Sequence, residues 1–411
     1  MSNSKELRIN GDRLWEDLME LASIGATPKG GVCRLALTEV DRAGRDWFRS
    51  QCKKIGMTMR TDAIGNVFAR MEGTEADLPA VVTGSHLDTQ PSGGKFDGAY
   101  GVLAGLEVAR TLYDNNIVPR RSLEIVSWTN EEGSRFLPVM AGSGVFAGVH
   151  KLSEVLTQKD GTGIGFGDAL YSIGEAGPDL ARPAIDAYFE AHIEQGPILE
   201  AYGECIGIVT GALGQRWFEC ELTGFEAHAG PTPMELRRDA MQGAAAIIRG
   251  IDMMARSIRD ARATVGMIEC WPNSRNTIPG RVTFSIDLRH ADVATLHEME
   301  LAMRELVVDH AAAMKLEWAI RPTNVWEPCQ FNTDCIDLVR AATAELDLPS
   351  REMVSGAGHD AVNIARIAPT AMIFVPCRDG VSHNEIEDAK PNDLVAGANV
   401  LLSVLLARLN R

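Results

Sequence analysis

His86 and Asp88 stand at the end of an apolar, β-branched run, Val81-Val82-Thr83-Gly84-Ser85, and Asp97 follows in the glycine-rich stretch Gly93-Gly94-Lys95-Phe96-Asp97-Gly98. A second such run, Leu123-Glu124-Ile125-Val126-Ser127-Trp128, leads into Thr129-Asn130-Glu131-Glu132-Gly133. His192 lies near the end of a third, and His383 sits in Val381-Ser382-His383-Asn384-Glu385. Neutral imidazoles and carboxylates are the donors that hold divalent ions. A pair of ions that activates water also needs one bridging carboxylate and a free carboxylate to take the proton. Taken singly, a strand-end histidine usually caps or packs, a Glu-Glu pair usually faces solvent, and an aspartate in a glycine-rich loop usually forms a turn. Their joint occurrence in this order points to a hydrolytic metal site.

The elements that must position these groups alternate. Residues 1 to about 213 read as strands and helices in turn, with a helix from Gly101 to Leu112 directly after Asp97 and a strand over Tyr188–Glu194. That alternation predicts a largely parallel sheet covered on both faces by helices, and ligands gather outside the carboxyl ends of such strands. The middle of the chain reads differently. Strands are expected at Arg216–Leu222, Thr264–Cys270, Arg281–Leu288 and Leu316–Thr323, with helices at Arg237–Ile258 and Val293–Met314. This β-α-β-β-α-β order is the split plan of a ferredoxin-like domain. After Asn324 the α/β style resumes with a strand over Ala371–Val375 and a closing helix from Pro391. The expected organisation is a discontinuous catalytic domain, 1–213 with 328–411, and an inserted domain over 214–327.

Composition narrows the function classes. At 411 residues, two domains are expected. A formal net charge of −16, with no lysine- or arginine-rich run, argues against a nucleic-acid surface. The first residues, Met1-Ser2-Asn3-Ser4-Lys5-Glu6, lead into charge, not an apolar signal core. No stretch approaches the ~20 apolar residues of a membrane span, and Leu401–Ala407, the longest apolar segment, fits a packed C-terminal helix. The eight cysteines include no Cys-x-x-Cys pair, so neither a zinc–cysteine knot nor a disulfide framework is expected. A cytoplasmic location is the expectation.

The order His86-x-Asp88, Asp97, Glu131-Glu132, His192, His383 resembles the M20 family of co-catalytic metallohydrolases, and the likeness spans nearly the whole chain. It includes Gly84–Thr89, Phe96-Asp97-Gly98, Asn130–Gly133, His192-Ile193-Glu194-Gln195-Gly196, Ala227-His228-Ala229-Gly230 and Ser382–Glu385. Within the family, the chain looks like the N-carbamoyl-amino-acid amidohydrolases, β-ureidopropionases and allantoate amidohydrolases. Only ten residues separate His86 from Asp97, where peptidase relatives place a much longer segment. Residue 192 is histidine where those peptidases typically use a carboxylate, which lowers the negative charge of the site by one.

The resemblance implies a Zn-peptidase-like α/β catalytic domain and two divalent ions per subunit (zinc, manganese, cobalt or nickel). Asp97 would bridge them, with His86 and His192 on one ion and Glu132 and His383 on the other. Glu131 would be the general base and Asp88 would orient His86. A strained, cis peptide is expected after Asp97, where Gly98 would ease the geometry. In the inserted domain, His228 would meet the ureido oxygen across a homodimer, while Asn276 and Arg289 would bind the substrate carboxylate. Gln195 is a further expected substrate contact, with Arg216 and His359 as weaker candidates. The implied reaction is hydrolysis of an N-carbamoyl amino acid to amino acid, ammonia and carbon dioxide. Allantoate and N-carbamoyl-β-alanine stay open as substrates, and a dipeptidase or N-acyl amino-acid deacylase is the runner-up. A catalytically silent metal-binding protein would have lost a ligand or the base, and none is missing.

Overall fold

The computed structural model describes residues 7–179 and 182–411, so the charged residues of the first six positions lie outside it. The chain divides into two compact units, residues 1–211 with 330–411, and residues 212–329.

The first unit is built on one mixed sheet. Its central strands run Leu123–Trp128, Ala80–His86, Ile185–Ile193 and Thr370–Val375 in spatial order, all parallel to their neighbours. Thr58–Thr61 and Val67–Met71 extend one side antiparallel, and Ile206–Ala212 extends the other. Every residue of Ala80–His86, Leu123–Trp128 and Thr370–Val375 is buried. That is why these segments read as continuous apolar runs: a strand covered on both faces has no solvent side to alternate with.

Gly84 is fixed by this packing, since its φ is +149° and a Cβ there would lie 2.0 Å from the Val126 carbonyl oxygen. The helix after Asp97 runs Ala99–Asp114 and is buried over nearly its whole length. The Pro391–Leu409 helix is long and apolar enough by composition to cross a membrane, which the sequence reading did not anticipate. In the structure one face of it, including Leu394, Leu401 and Leu405, is buried, and it packs on Ala99–Asp114, Thr333–Glu345 and Thr370–Val375. All eight cysteines are free.

The second unit is an antiparallel sheet with two helices. Strands Ile268–Trp271, Arg281–His290, Gly214–Thr223 and Glu317–Trp326 lie side by side in that order, and Arg262–Thr264 also pairs with Arg281–His290. Helices Ala240–Ser257 and Val293–Ala313 pack together and bury alternate residues of the strands, including Phe218, Leu222, Phe284 and Leu288. Two expected elements differ in detail. The strand expected over Thr264–Cys270 is broken around Gly266 into two pieces on the same neighbour. The helix expected from Arg237 begins at Ala240, because Asp239 caps it by accepting hydrogen bonds from the N–H groups of Met241 and Gln242.

Candidate metal centre

The parallel register brings the strand ends into line. His86 pairs with Trp128, so the Thr129–Gly133 turn leaves its strand beside His86. His192 pairs with Phe374 near the end of the next two strands. Asp97 is carried by the loop before the Ala99–Asp114 helix, and His383 by the loop beyond Thr370–Val375.

Two donor groups result, His86–Asp97–His192 and Asp97–Glu132–His383, and Asp97 belongs to both. Its Oδ1 lies 3.2 Å from His192 Nε2 and 3.7 Å from His86 Nε2. Its Oδ2 lies 3.4 Å from His383 Nε2, which is in turn 3.3 Å from Glu132 Oε2. Glu131 Oε2 stands 3.6 Å from His86 Nε2.

The tautomers suit cations. The Nδ1 atoms of His86 and His192 each lie 2.9 Å from a backbone carbonyl, of Asp88 and Ile193 respectively, so in the neutral ring Nδ1 carries the proton and Nε2 keeps a lone pair. The Gly98 N–H donates to His192 Nε2, consistent with that lone pair. Lone pairs on these nitrogens would repel the facing carboxylate, so the position between them calls for a positive charge, a proton or a metal ion. The acids report the same imbalance. Burial, then the neighbouring acids Asp360 and Glu132, push the Glu131 carboxyl well above its usual range. Burial and Asp97 do the same to Glu132. Burial lowers His86 to about 4. Burial also opposes charge on Asp97 and His192, but their mutual hydrogen bond prevails, holding Asp97 below the carboxylate range and drawing His192 up to about 9. A divalent ion meets that demand for positive charge as a proton does, and the mixed imidazole and carboxylate donors fit zinc, manganese, cobalt or nickel.

Several side chains do other work than the sequence suggests. The Asp88 side chain does not orient His86; its backbone oxygen does, while the carboxylate accepts the N–H groups of Glu131 and Glu132, one on each oxygen. Gln195 Nε2 donates to Asp97 Oδ2 at 2.8 Å, so this amide holds the shared aspartate, and its Oε1 is buried without a partner. His359 is 2% exposed, bonded to the Ser355 hydroxyl and packed edge-on to His192 with ring centroids 4.5 Å apart. The peptide after Asp97 is not cis: the cis bonds of the described residues are Leu137–Pro138 and Trp271–Pro272. The odd geometry falls instead on Gly98, whose φ is +64° and whose missing Cβ would lie 2.3 Å from the His86 ring.

In the second unit, Arg216 is buried in ion pairs with Glu300 and Glu327, which occupies its charge. Arg289 is held by Asp287 at 2.8 Å on the same strand. His228 and Asn276 come together, because the short ladder pairs His228 with Thr277 and the Ala229 N–H donates to the Asn276 carbonyl. Both are exposed.

Three residues that shape the centre had no strong sequence signal. Gln90 donates through its side chain and backbone to the two oxygens of Glu132. Ser382 and Glu387 contact Asp97, the first through its hydroxyl and the second at the backbone N–H. Glu190 joins His192 and His359 in a third donor group, but its oxygens are engaged by the Ser85 and Tyr188 hydroxyls and the Ala361 N–H. That group therefore reads as framework.

A model of Peptidase family M20/M25/M40 matches residues 82–407. The N-carbamoyl-L-amino-acid amidohydrolase of Rhizobium meliloti is 44% identical over 401 residues, covering 97% of this chain and 96% of that protein. The allantoate amidohydrolase of Bacillus subtilis (strain 168) is 37% identical over 393 residues, 94% of each chain. Among solved structures, an amidase of the hydantoinase/carbamoylase family from Burkholderia multivorans superposes with a TM-score of 0.97 at 52% identity, covering 98% of this chain and 99% of that one. The chain is a hydrolase and belongs to peptidase family M20/M25/M40.

Proposed function

We propose that the protein is a di-metal amidohydrolase that cleaves the ureido C–N bond of N-carbamoyl amino acids, giving the amino acid, ammonia and carbon dioxide. The observation that carries the reading is Asp97, which turns Oδ1 to one donor group and Oδ2 to the other. The similarity to N-carbamoyl-L-amino-acid amidohydrolases at 35–44% identity supports the substrate class.

His86, Asp97 and His192 would hold one divalent ion, and Asp97, Glu132 and His383 the other. Such ions make water acidic enough to attack at neutral pH and polarise a ureido carbonyl, a poor electrophile. Glu131, held in place by Asp88, takes the proton of the attacking water and returns it to the departing nitrogen. Water supplies one oxygen of carbon dioxide and the ureido carbonyl the other, and the two protons of water leave on the amino acid and ammonia nitrogens. His228 is proposed for the ureido oxygen, and Asn276 and Arg289 for the substrate carboxylate, with Asp287 sharing the Arg289 fork. Homodimerisation through residues 212–329 is part of the same proposal.

Allantoate is the second reading, favoured by the similarity to the B. subtilis enzyme. Metal-loaded protein offered N-carbamoyl-L-amino acids, N-carbamoyl-β-alanine, allantoate, N-acetyl amino acids and dipeptides tests the proposal. Highest kcat/KM is expected on an N-carbamoyl-L-amino acid, and preference for dipeptides or N-acetyl amino acids would refute it.

A further inference from the structure

Glu387 is 1% exposed and lies 290 positions from Asp97 in the chain, yet it is tied to it. Its Oε1 accepts the backbone N–H groups of Phe96 at 2.8 Å and Asp97 at 3.1 Å. Its Oε2 accepts the Ser382 hydroxyl at 2.9 Å. That hydroxyl is also 2.9 Å from Asp97 Oδ2, and Gln195 Nε2 donates to both Asp97 Oδ2 and the Ser382 oxygen. The Glu387 backbone N–H closes the local turn by donating to the Asn384 carbonyl, one residue past His383. The site for the carboxylate is built to size: a Cβ on Gly94 would lie 2.0 Å from its carboxyl carbon. One side chain thus fixes the backbone that carries Asp97 and, through Ser382, the loop that carries His383.

We propose that Glu387 is a positioning residue that sets the spacing of Asp97 and His383, so that capture of an ion by the Asp97–Glu132–His383 group depends on it. The inference rests on the reading of Asp97 as a ligand shared by two ions. Ligands drawn from loops distant in sequence have no covalent reason to keep register, and buried hydrogen-bonded partners of ligands commonly control metal affinity by about 10- to 100-fold. Glu387 acts here as an acceptor for two N–H groups, which a neutral amide oxygen can also be.

The test is titration of metal-free protein with Co²⁺, followed by calorimetry and by the visible spectrum, for wild type, Glu387→Ala, Glu387→Gln and Ser382→Ala. Wild type is expected to take up two ions. Glu387→Ala should bind one ion as wild type does and the other about 10- to 100-fold more weakly, with an altered cobalt spectrum at the second equivalent. Glu387→Gln should recover most of that loss, because it restores an acceptor oxygen. Ser382→Ala, a smaller excision, should weaken the same step if the alanine variant at 387 does not fold. Two unchanged affinities in Glu387→Ala, or in Ser382→Ala where the former is unfolded, would overturn the inference alone. Fewer than two ions on wild type would overturn the shared-ligand reading beneath it.

Discussion

Nε2 of His192 lies 3.2 Å from Oδ1 of Asp97, with the imidazole Nδ1 directed at the Ile193 carbonyl. An imidazole adds no negative charge where a carboxylate would add another to a centre already crowded with buried acids. It faces one oxygen of Asp97 while His383 faces the other.

Glu131→Gln removes the proposed proton acceptor and leaves both donor groups. It should retain wild-type metal content by elemental analysis, while kcat falls about 100- to 10,000-fold, the usual contribution of a positioned general base. Undiminished turnover would remove Glu131 from its role.

Asp97→Asn weakens both donor groups at once, whereas His383→Ala touches only one. Metal analysis after dialysis should therefore find the first variant depleted of both ions and the second retaining about half its metal. Chelation of wild type should abolish activity, and zinc, manganese, cobalt or nickel should be compared for its restoration. Retention of both ions by Asp97→Asn would argue against a shared ligand.

Gly98→Ala places a Cβ where the His86 ring stands and forces a left-handed φ on a side-chain-bearing residue. The backbone penalty at φ +64°, ψ −49° is about 1–3 kcal/mol, and the steric conflict should displace His86. Denaturant unfolding should show the stability loss and metal titration a weakened site; wild-type metal affinity would show that His86 does not need its present position.

Asp88→Ala leaves the N–H groups of Glu131 and Glu132 without their acceptor in a buried turn. Each unsatisfied group costs about 1–3 kcal/mol, so a clear fall in unfolding free energy is expected together with loss of turnover. If stability falls while kcat is preserved, Asp88 supports the fold without positioning the base.

Arg289→Ala should raise KM for a carboxylate-bearing substrate roughly 10- to 100-fold, the equivalent of about 1.5–3 kcal/mol for a charge-assisted hydrogen bond. Steady-state kinetics with unchanged KM would mean that Asp287, not substrate, is the partner that matters.

The strands that end at His86 and at Trp128 before the two glutamates were legible because burial on both faces writes a largely apolar run into the sequence, and the strand near His192 because its residues alternate. The residues of the two donor groups were legible because each terminates such a run or follows it in a polar loop. What could not be read is where a side chain points once distant segments meet. Asp88 looked like a partner for the His86 side chain, but the turn bends it towards the Glu131 and Glu132 N–H groups. Arg216 looked available until Glu300 and Glu327, from elsewhere in the chain, enclosed it. Gln195, on a left-handed backbone with φ +58°, turns onto Asp97. Glu387 follows His383 by only four residues, and nothing local marks its reach to Phe96 and Asp97. The Thr264–Cys270 strand failed at Gly266, where the backbone leaves the ladder.

The most direct test of the account is the product balance of metal-loaded protein on an N-carbamoyl-L-amino acid labelled with ¹³C at the ureido carbon. Equal amounts of amino acid, ammonia and labelled carbon dioxide are predicted, all lost in Glu131→Gln. Absence of ammonia and labelled carbon dioxide, with a dipeptide cleaved by the same preparation, would contradict it.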